Sequence, residues 1–127
     1  MEQATQVFAA VSFLVIGLSH LVQPKAWVAY FQNLAAQGTS GAFAEGFLCL
    51  SFGGIIVGFH NVWRGPALLL TLIGWAQVAK GLGRFVAPEL AVRVMARATV
   101  ERAWFFQVGG VLALLLSGFT WWLRFRP

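Results

Sequence analysis

Of the 127 residues in this chain, 59% are hydrophobic and only 10% charged, and the mean hydropathy is +0.76. A domain that meets water on all sides carries about a quarter charged residues, so this composition excludes an ordinary soluble enzyme or regulatory domain. The net charge of +5 fits basic residues flanking membrane segments, with no nucleic-acid partner expected.

Four apolar stretches follow one another, and charges gather where they end. Met1–Pro24 carries one charge, at Glu2, while Gly46–Trp63, Gly65–Ala79 and Ala103–Leu123 carry none. Crossing a hydrocarbon layer of about 30 Å takes about 20 apolar residues. The expected fold class is therefore all-α: an integral membrane, antiparallel four-helix bundle forming one domain over residues 1–127. Its spans are placed at about 4–22, 41–62, 66–86 and 100–123. Met1–Gln6 lacks a basic segment and the first stretch is long for a signal peptide, so the first helix is expected to be retained. Pro24 ends it.

Two connections are more than loops. Trp27, Val28, Phe31 and Leu34 in Lys25–Ala36 recur at spacings of three and four, and Glu89–Thr99 alternates apolar residues with Arg93 and Arg97. Both read as short amphipathic helices lying in the interface, with ordered loops as the alternative. Arg64-Gly65-Pro66 is a tight turn, with Pro66 opening the third span. Glycines mark the packing faces: Gly53, Gly54 and Gly58 in the second span, Gly74, Gly81 and Gly83 in the third, Gly109 and Gly110 in the fourth. Such residues let helix backbones approach closely in lipid.

An even number of spans puts both termini on one side with the 64–66 turn. Lys25, Arg84, Arg93, Arg97 and Arg102 on the opposite side outnumber Arg64, Arg124 and Arg126. That balance places the longer connections in the cytoplasm and the termini outside, in a membrane of the bacterial inner type.

Ionisable groups in a span are costly and face the bundle interior or a wet cavity. By helix rise, His20 lies roughly 24 Å along the first helix, Glu45 about one turn into the second and Lys80 roughly 21 Å from Pro66. Alternating helix direction then brings His20, Glu45, Gln77, Lys80, Arg84, Glu101 and Arg102 to one depth, although they come from four helices. This cluster reads as a ligand-binding pocket, as a structural ion pair of Glu45 with Lys80, or as helix-end charges that snorkel to the interface without a function. His60, Asn61 and Trp63 read as an interfacial belt capping the second helix.

His20 and His60 end consecutive, oppositely directed helices, so they lie roughly 20 Å or more apart and cannot share a haem or metal ion. No metal site is expected. Cys49, alone inside the second span, reads as a packing residue. The chain contains no HExxH, GxSxG or phosphate-binding glycine loop, and its four carboxylates, Glu2, Glu45, Glu89 and Glu101, give acid–base catalysis little to work with. No catalytic residue is assigned.

Gly17-Leu18-Ser19-His20, Pro24 and Tyr30-Phe31, followed by Glu45-Gly46 and Gly53-Gly54, resemble the DoxX-like group of small four-helix membrane proteins over about the first 60 residues. The resemblance implies a four-span architecture. Some members of that group are subunits of quinone-linked oxidoreductases, and His20 stands where the group more usually has lysine. The expected functions are a non-catalytic accessory subunit or scaffold of a membrane complex, a protein binding or transporting a lipid, ion or small molecule through the polar cluster, or a quinone-linked redox accessory protein. No cofactor is predicted beyond a quinone or bound lipid. The expected partners are the bilayer and a second copy or another membrane protein.

Overall fold

The computed structural model describes residues 1–126. They form six α-helices: α1 Glu2–Val22, α2 Pro24–Ala36, α3 Thr39–Phe59, α4 Leu68–Val86, α5 Pro88–Met95 and α6 Ala103–Phe125, with a 3-10 turn at Val100–Arg102 before α6. Three stretches are long and apolar enough to cross a membrane: Glu2–Val22, Thr39–Phe59 and Val100–Phe125. α4, the third expected span, has the length but falls short in apolarity, because its second half carries Gln77, Lys80 and Arg84.

Both longer connections are helical. Pro24 and Pro88 each occupy the first turn of their helix, where the missing N–H costs nothing. α2 buries Val28 and Leu34, and α5 buries Ala91 and Met95. Leu34, Ala42, Ala91 and Met95 make a small core in which Tyr30, Phe31 and Val92 also pack. The α2–α3 corner turns at Gly38, whose φ of 64° is a conformation that L side chains rarely adopt.

The turn between α3 and α4 is wider than the sequence suggests. α3 stops at Phe59, and α4 begins at Leu68 rather than at Pro66. Gly65, at φ 67°, turns the chain, and Leu68 N–H bonds back to its carbonyl at 3.2 Å. Thr71 ties the segment down from inside α4: its hydroxyl donates to the His60 carbonyl at 3.0 Å and accepts from Val62 N–H at 3.0 Å.

Packing is by pairs. α1 runs against α6, and α3 against α4. In both pairs the contact is backbone on backbone. A Cβ built on Gly17 would lie 2.9 Å from the Gly110 carbonyl oxygen, and one on Gly110 would lie 2.7 Å from that of Gly17. Gly46 faces Gly81 in the same reciprocal way, and a Cβ on Gly53 would lie 2.6 Å from the Gly74 carbonyl oxygen. Ser117 adds a hydroxyl bond across the first pair to the Ala10 carbonyl at 2.7 Å. Gly54 and Gly58, which form the GxxxG spacing, have open space beside them, as do Gly83 and Gly109. The glycines in contact are therefore a different set from the one the motif marks.

The two pairs meet along α1 and α3, where Ala9, Ile56 and Leu70 are buried and Phe13 and Phe52 pack against them. The Phe13 and Phe52 rings are 5.8 Å apart, edge to face. At one end of the molecule, His60 is locked between three helices. Gln6 of α1 donates an amide N–H to His60 Nε2 at 3.1 Å. The imidazole proton is then on Nδ1, which faces the Thr71 hydroxyl at 3.3 Å. His60, expected in an interfacial belt, is fully buried. It caps α3 through its backbone N–H, bonded to the Ile56 carbonyl, while the Thr71 hydroxyl holds its own carbonyl. Asn61 and Trp63 are exposed, and Asn61 Oδ1 accepts from the indoles of Trp63 at 2.8 Å and Trp75 at 3.4 Å.

A methyl group at Gly110 has nowhere to go, whereas one at Gly109 meets nothing within 4 Å. Gly110→Ala is expected to lower stability by about 1–3 kcal/mol, the range for overpacking. Gly109→Ala is expected to be neutral or slightly stabilising, because alanine is the better helix former. Denaturant titration of the purified protein in mild detergent, read by circular dichroism, checks the pair. Equal effects at the two sites would remove the α1–α6 glycine contact as a stabilising element.

Candidate functional site

The end of the molecule opposite His60 holds most of the charged side chains of the expected cluster. α3 enters from α2 and α4 returns to the same end, so Glu45, one turn and a half into α3, faces the last two turns of α4. Glu45 Oε1 lies 3.1 Å from Lys80 Nζ, and Oε2 accepts from Arg84 Nε. The Cys49 thiol, one turn along α3, donates to Oε1 at 3.4 Å. Gly46 makes this geometry reachable, since its missing side chain leaves room for the Arg84 stem: a Cβ there would lie 2.5 Å from Arg84 Cβ.

The Glu45 carboxylate is 6% exposed, against 14% for Arg84 and 40% for Lys80. A carboxylate so far from water would be expensive alone, and two cations compensate it. The triad keeps a net positive charge. Glu45 bonds Arg84 through Nε, which leaves the terminal guanidinium nitrogens to face outward.

Lys80 and Arg84 line a cavity of about 560 Å³ bounded by α4, α5, the 3-10 turn, α6 and Phe31 of α2. Four cationic side chains line it: Lys80, Arg84, Arg97 and Arg102. The rest of its wall is apolar, including Met95, Trp104, Phe105 and Phe106. Among the described residues, the ion pairs are those of Glu45 alone, so Arg97 and Arg102 carry uncompensated charge.

The other expected members of the cluster are placed differently. Gln77 is half-buried on the α3–α4 contact, where a Cβ on Gly53 would lie 2.9 Å from Gln77 Cβ. Glu101 is exposed and has no ion-pair partner among the described residues. His20 is turned away from Glu45: its Nδ1 bonds the Ile16 carbonyl at 2.8 Å, and its ring stacks on Trp27 at 4.1 Å. Trp27 is fixed in turn by donating to the Ser19 hydroxyl at 2.8 Å. Phe106 lies 5.8 Å from His20 and 5.6 Å from Phe31, so this aromatic group backs the cavity wall.

Tyr30 of α2 also feels the triad. Burial pushes its phenol above the ordinary range, and the Glu45 carboxylate adds to that. It therefore meets the site as a neutral hydroxyl.

Arg97, Trp104, Phe105, Phe106 and Phe31 are lining residues that the sequence does not single out as a site. The available signal is that Arg97 and Arg102 bracket a break between two helical patterns, which brings the ends of α5 and α6 together. No group of three or more His, Cys, Asp or Glu side chains comes together among the described residues, and His20 and His60 lie at opposite ends. No buried side-chain polar atom among the described residues lacks a hydrogen-bond partner. No family model, curated protein or solved structure matches the chain.

Glu45→Gln would leave Lys80 and Arg84 without their counter-charge. Hydrogen bonds to charged groups contribute about 1.5–3 kcal/mol each, less where solvent reaches the pair. Glu45→Gln is expected to cost about 1–3 kcal/mol and Lys80→Ala under about 1 kcal/mol, with Arg84→Ala between them. The exchange E45K/K80E leaves a lysine beside Arg84, so only partial rescue of the single charge reversals is expected in denaturant titrations. Complete rescue would mean that Arg84 contributes nothing to holding Glu45.

Proposed function

We propose that this chain is a membrane-integrated four-helix protein that binds the anionic group of an amphiphilic molecule in the cavity between α4, α5 and α6. The observation that carries this reading is the lining itself, four cations set in an otherwise apolar and aromatic wall. Ligand pockets of about 300–1,000 Å³ with a few convergent polar groups on apolar walls suit a molecule that is mostly apolar and charged at one place. Glu45 acts as a positioning residue, since it holds Lys80 and the Arg84 stem while their remaining donors stay free.

Three apolar stretches of spanning length support membrane integration. α4 completes the set as a fourth span because its charged half is compensated by Glu45 or opens to the cavity. The amphipathic α2 and α5 then lie at the interface on the cavity side. The N-terminus, the end of α6 and the 60–67 turn then lie on the other side, a placement that the contacts of Gln6 with His60 and of Ser117 with Ala10 support.

Two measurements test this. In a Cys49→Ala background, cysteines at positions 64 and 125 are expected to label from one face of sealed vesicles, and a cysteine at position 96 from the other. Labelling of all three from one face would overturn the four-span arrangement.

In an uncharged detergent, calorimetric titration with dodecyl phosphate is expected to show saturable binding that weakens with salt. Arg97→Gln with Arg102→Gln is expected to weaken it by about tenfold or more, as lost charge-assisted bonds would. Equal affinity for dodecyl phosphate and an uncharged dodecyl glycoside would overturn the reading. A protein that copurifies and covers the cavity would favour the accessory-subunit function in its place.

A further inference from the structure

The four long helices do not close on themselves. α1 packs on α6, α3 on α4, and α1 touches α3, but α4 and α6 form no packed pair. The ring is shut on one side by Phe13, Phe52, Ala9 and Ile56 and stays open on the other. The cavity lies on that open side, since Lys80 and Arg84 belong to α4 and Trp104, Phe105 and Phe106 to α6. α5 and the residues that follow it cross the end of the opening and contribute Val94, Met95 and Arg97 to the same wall. In that wall, Trp104 and Phe105 are 60% and 66% exposed.

Resting on the amphiphile-binding reading above, we propose that the occupant is an acidic membrane lipid that enters sideways between α4 and α6. Its phosphate sits among Arg97, Arg102, Lys80 and Arg84, and one acyl chain lies along the α4–α6 opening. Charge complementarity selects the head group, because two of the four cations have no acidic partner among the described residues. Arginine suits phosphate oxygens through its forked, planar donors. The opening selects the source. Apart from the four cations its lining is apolar, with Val94, Met95, Trp104, Phe105 and Phe106, so a chain lying there stays out of water, whereas a water-borne anion would leave that apolar surface unfilled. The placement also explains why the cationic wall is at the α5 end. That end holds the amphipathic segments, where head groups lie.

The experiment uses the full chain reconstituted in bilayer discs of phosphatidylcholine with phosphatidylglycerol added, then released into native mass spectrometry. Retention of phosphatidylglycerol at least tenfold above phosphatidylcholine is expected. R97Q/R102Q is expected to bring that preference to unity, and R97K/R102K, which keeps the charge, to retain most of it. Val94→Trp, which fills the cavity without touching charge, is expected to lower retention as well. Glycerol phosphate added in water is expected to leave the bound lipid in place.

Equal retention of the two lipids by the native chain would overturn the proposal. Displacement of phosphatidylglycerol by glycerol phosphate would overturn the lipid source while leaving the cationic cavity an anion site. Failure to hold either lipid, together with no binding of dodecyl phosphate, would remove both readings. Because Arg97 and Arg102 are exposed, unchanged helicity of the variants by circular dichroism separates loss of binding from loss of fold.

Discussion

Backbone-to-backbone contact at glycine is the constraint on which this structure depends. Gly17 with Gly110, Gly46 with Gly81 and Gly53 with Gly74 bring helix axes close enough for carbonyl oxygens to touch the neighbouring helix. Where helices are surrounded by apolar solvent, burying more apolar surface gains little, and close packing with short polar bonds replaces it. The larger side chains then have to point away from the pair contacts. Many leucines, phenylalanines and tryptophans accordingly lie on the outside, and the buried residues of α1 and α6 are mostly alanine, glycine, serine and threonine, with Gln6 and Leu123 the larger ones. The charged site follows from the same contact, because only a glycine at position 46 admits the Arg84 stem that lies over Glu45.

Between the glycine pairs, polar bonds define how the helices register. At one end Gln6, His60 and Thr71 satisfy one another completely, leaving the imidazole a single tautomer. At the other, Glu45 takes two cations and a thiol. A buried polar group without a partner is costly in low dielectric, so each set tolerates few rearrangements. One end closes around neutral polar side chains, while the other opens on a cationic cavity. That polarity is what makes the cavity a plausible place for a ligand, and it arises from the direction of the helices more than from any motif.

Helix reversal and rise were enough to place Glu45 beside Lys80, because both residues sit inside long, unambiguous periodic stretches. Arg84 came with them, one turn further along the same face. The two connecting helices were legible for the same reason, through apolar spacings of three and four and a proline at each start. His20 was not legible, because its direction depends on one stacking contact with Trp27, a residue of the next helix. Nor was His60, since a histidine at a helix end looks alike in sequence whether it faces water or Gln6. The glycine spacing misled in phase: Gly54 and Gly58 fit the familiar pattern, yet the contact uses Gly46 and Gly53, a whole heptad apart. Which helices are neighbours is invisible in periodicity, so the open side between α4 and α6, and with it Arg97 and the aromatic wall, could only come from the tertiary arrangement.

The pairing of α1 with α6 bears on how the chain is made. Ser117 reaches back 107 residues to Ala10, and α1 has few contacts with the helices that follow it directly. α3 and α4, joined by a short turn, can settle against each other as soon as both exist, but α6 emerges only after α2 to α5 have been synthesised. During that interval the small-residue face of α1 lacks its α6 partner, although Gln6 can already meet His60. Contacts of such long sequence separation form late and slowly. The first helix thus meets its principal partner only when the last helix has been made.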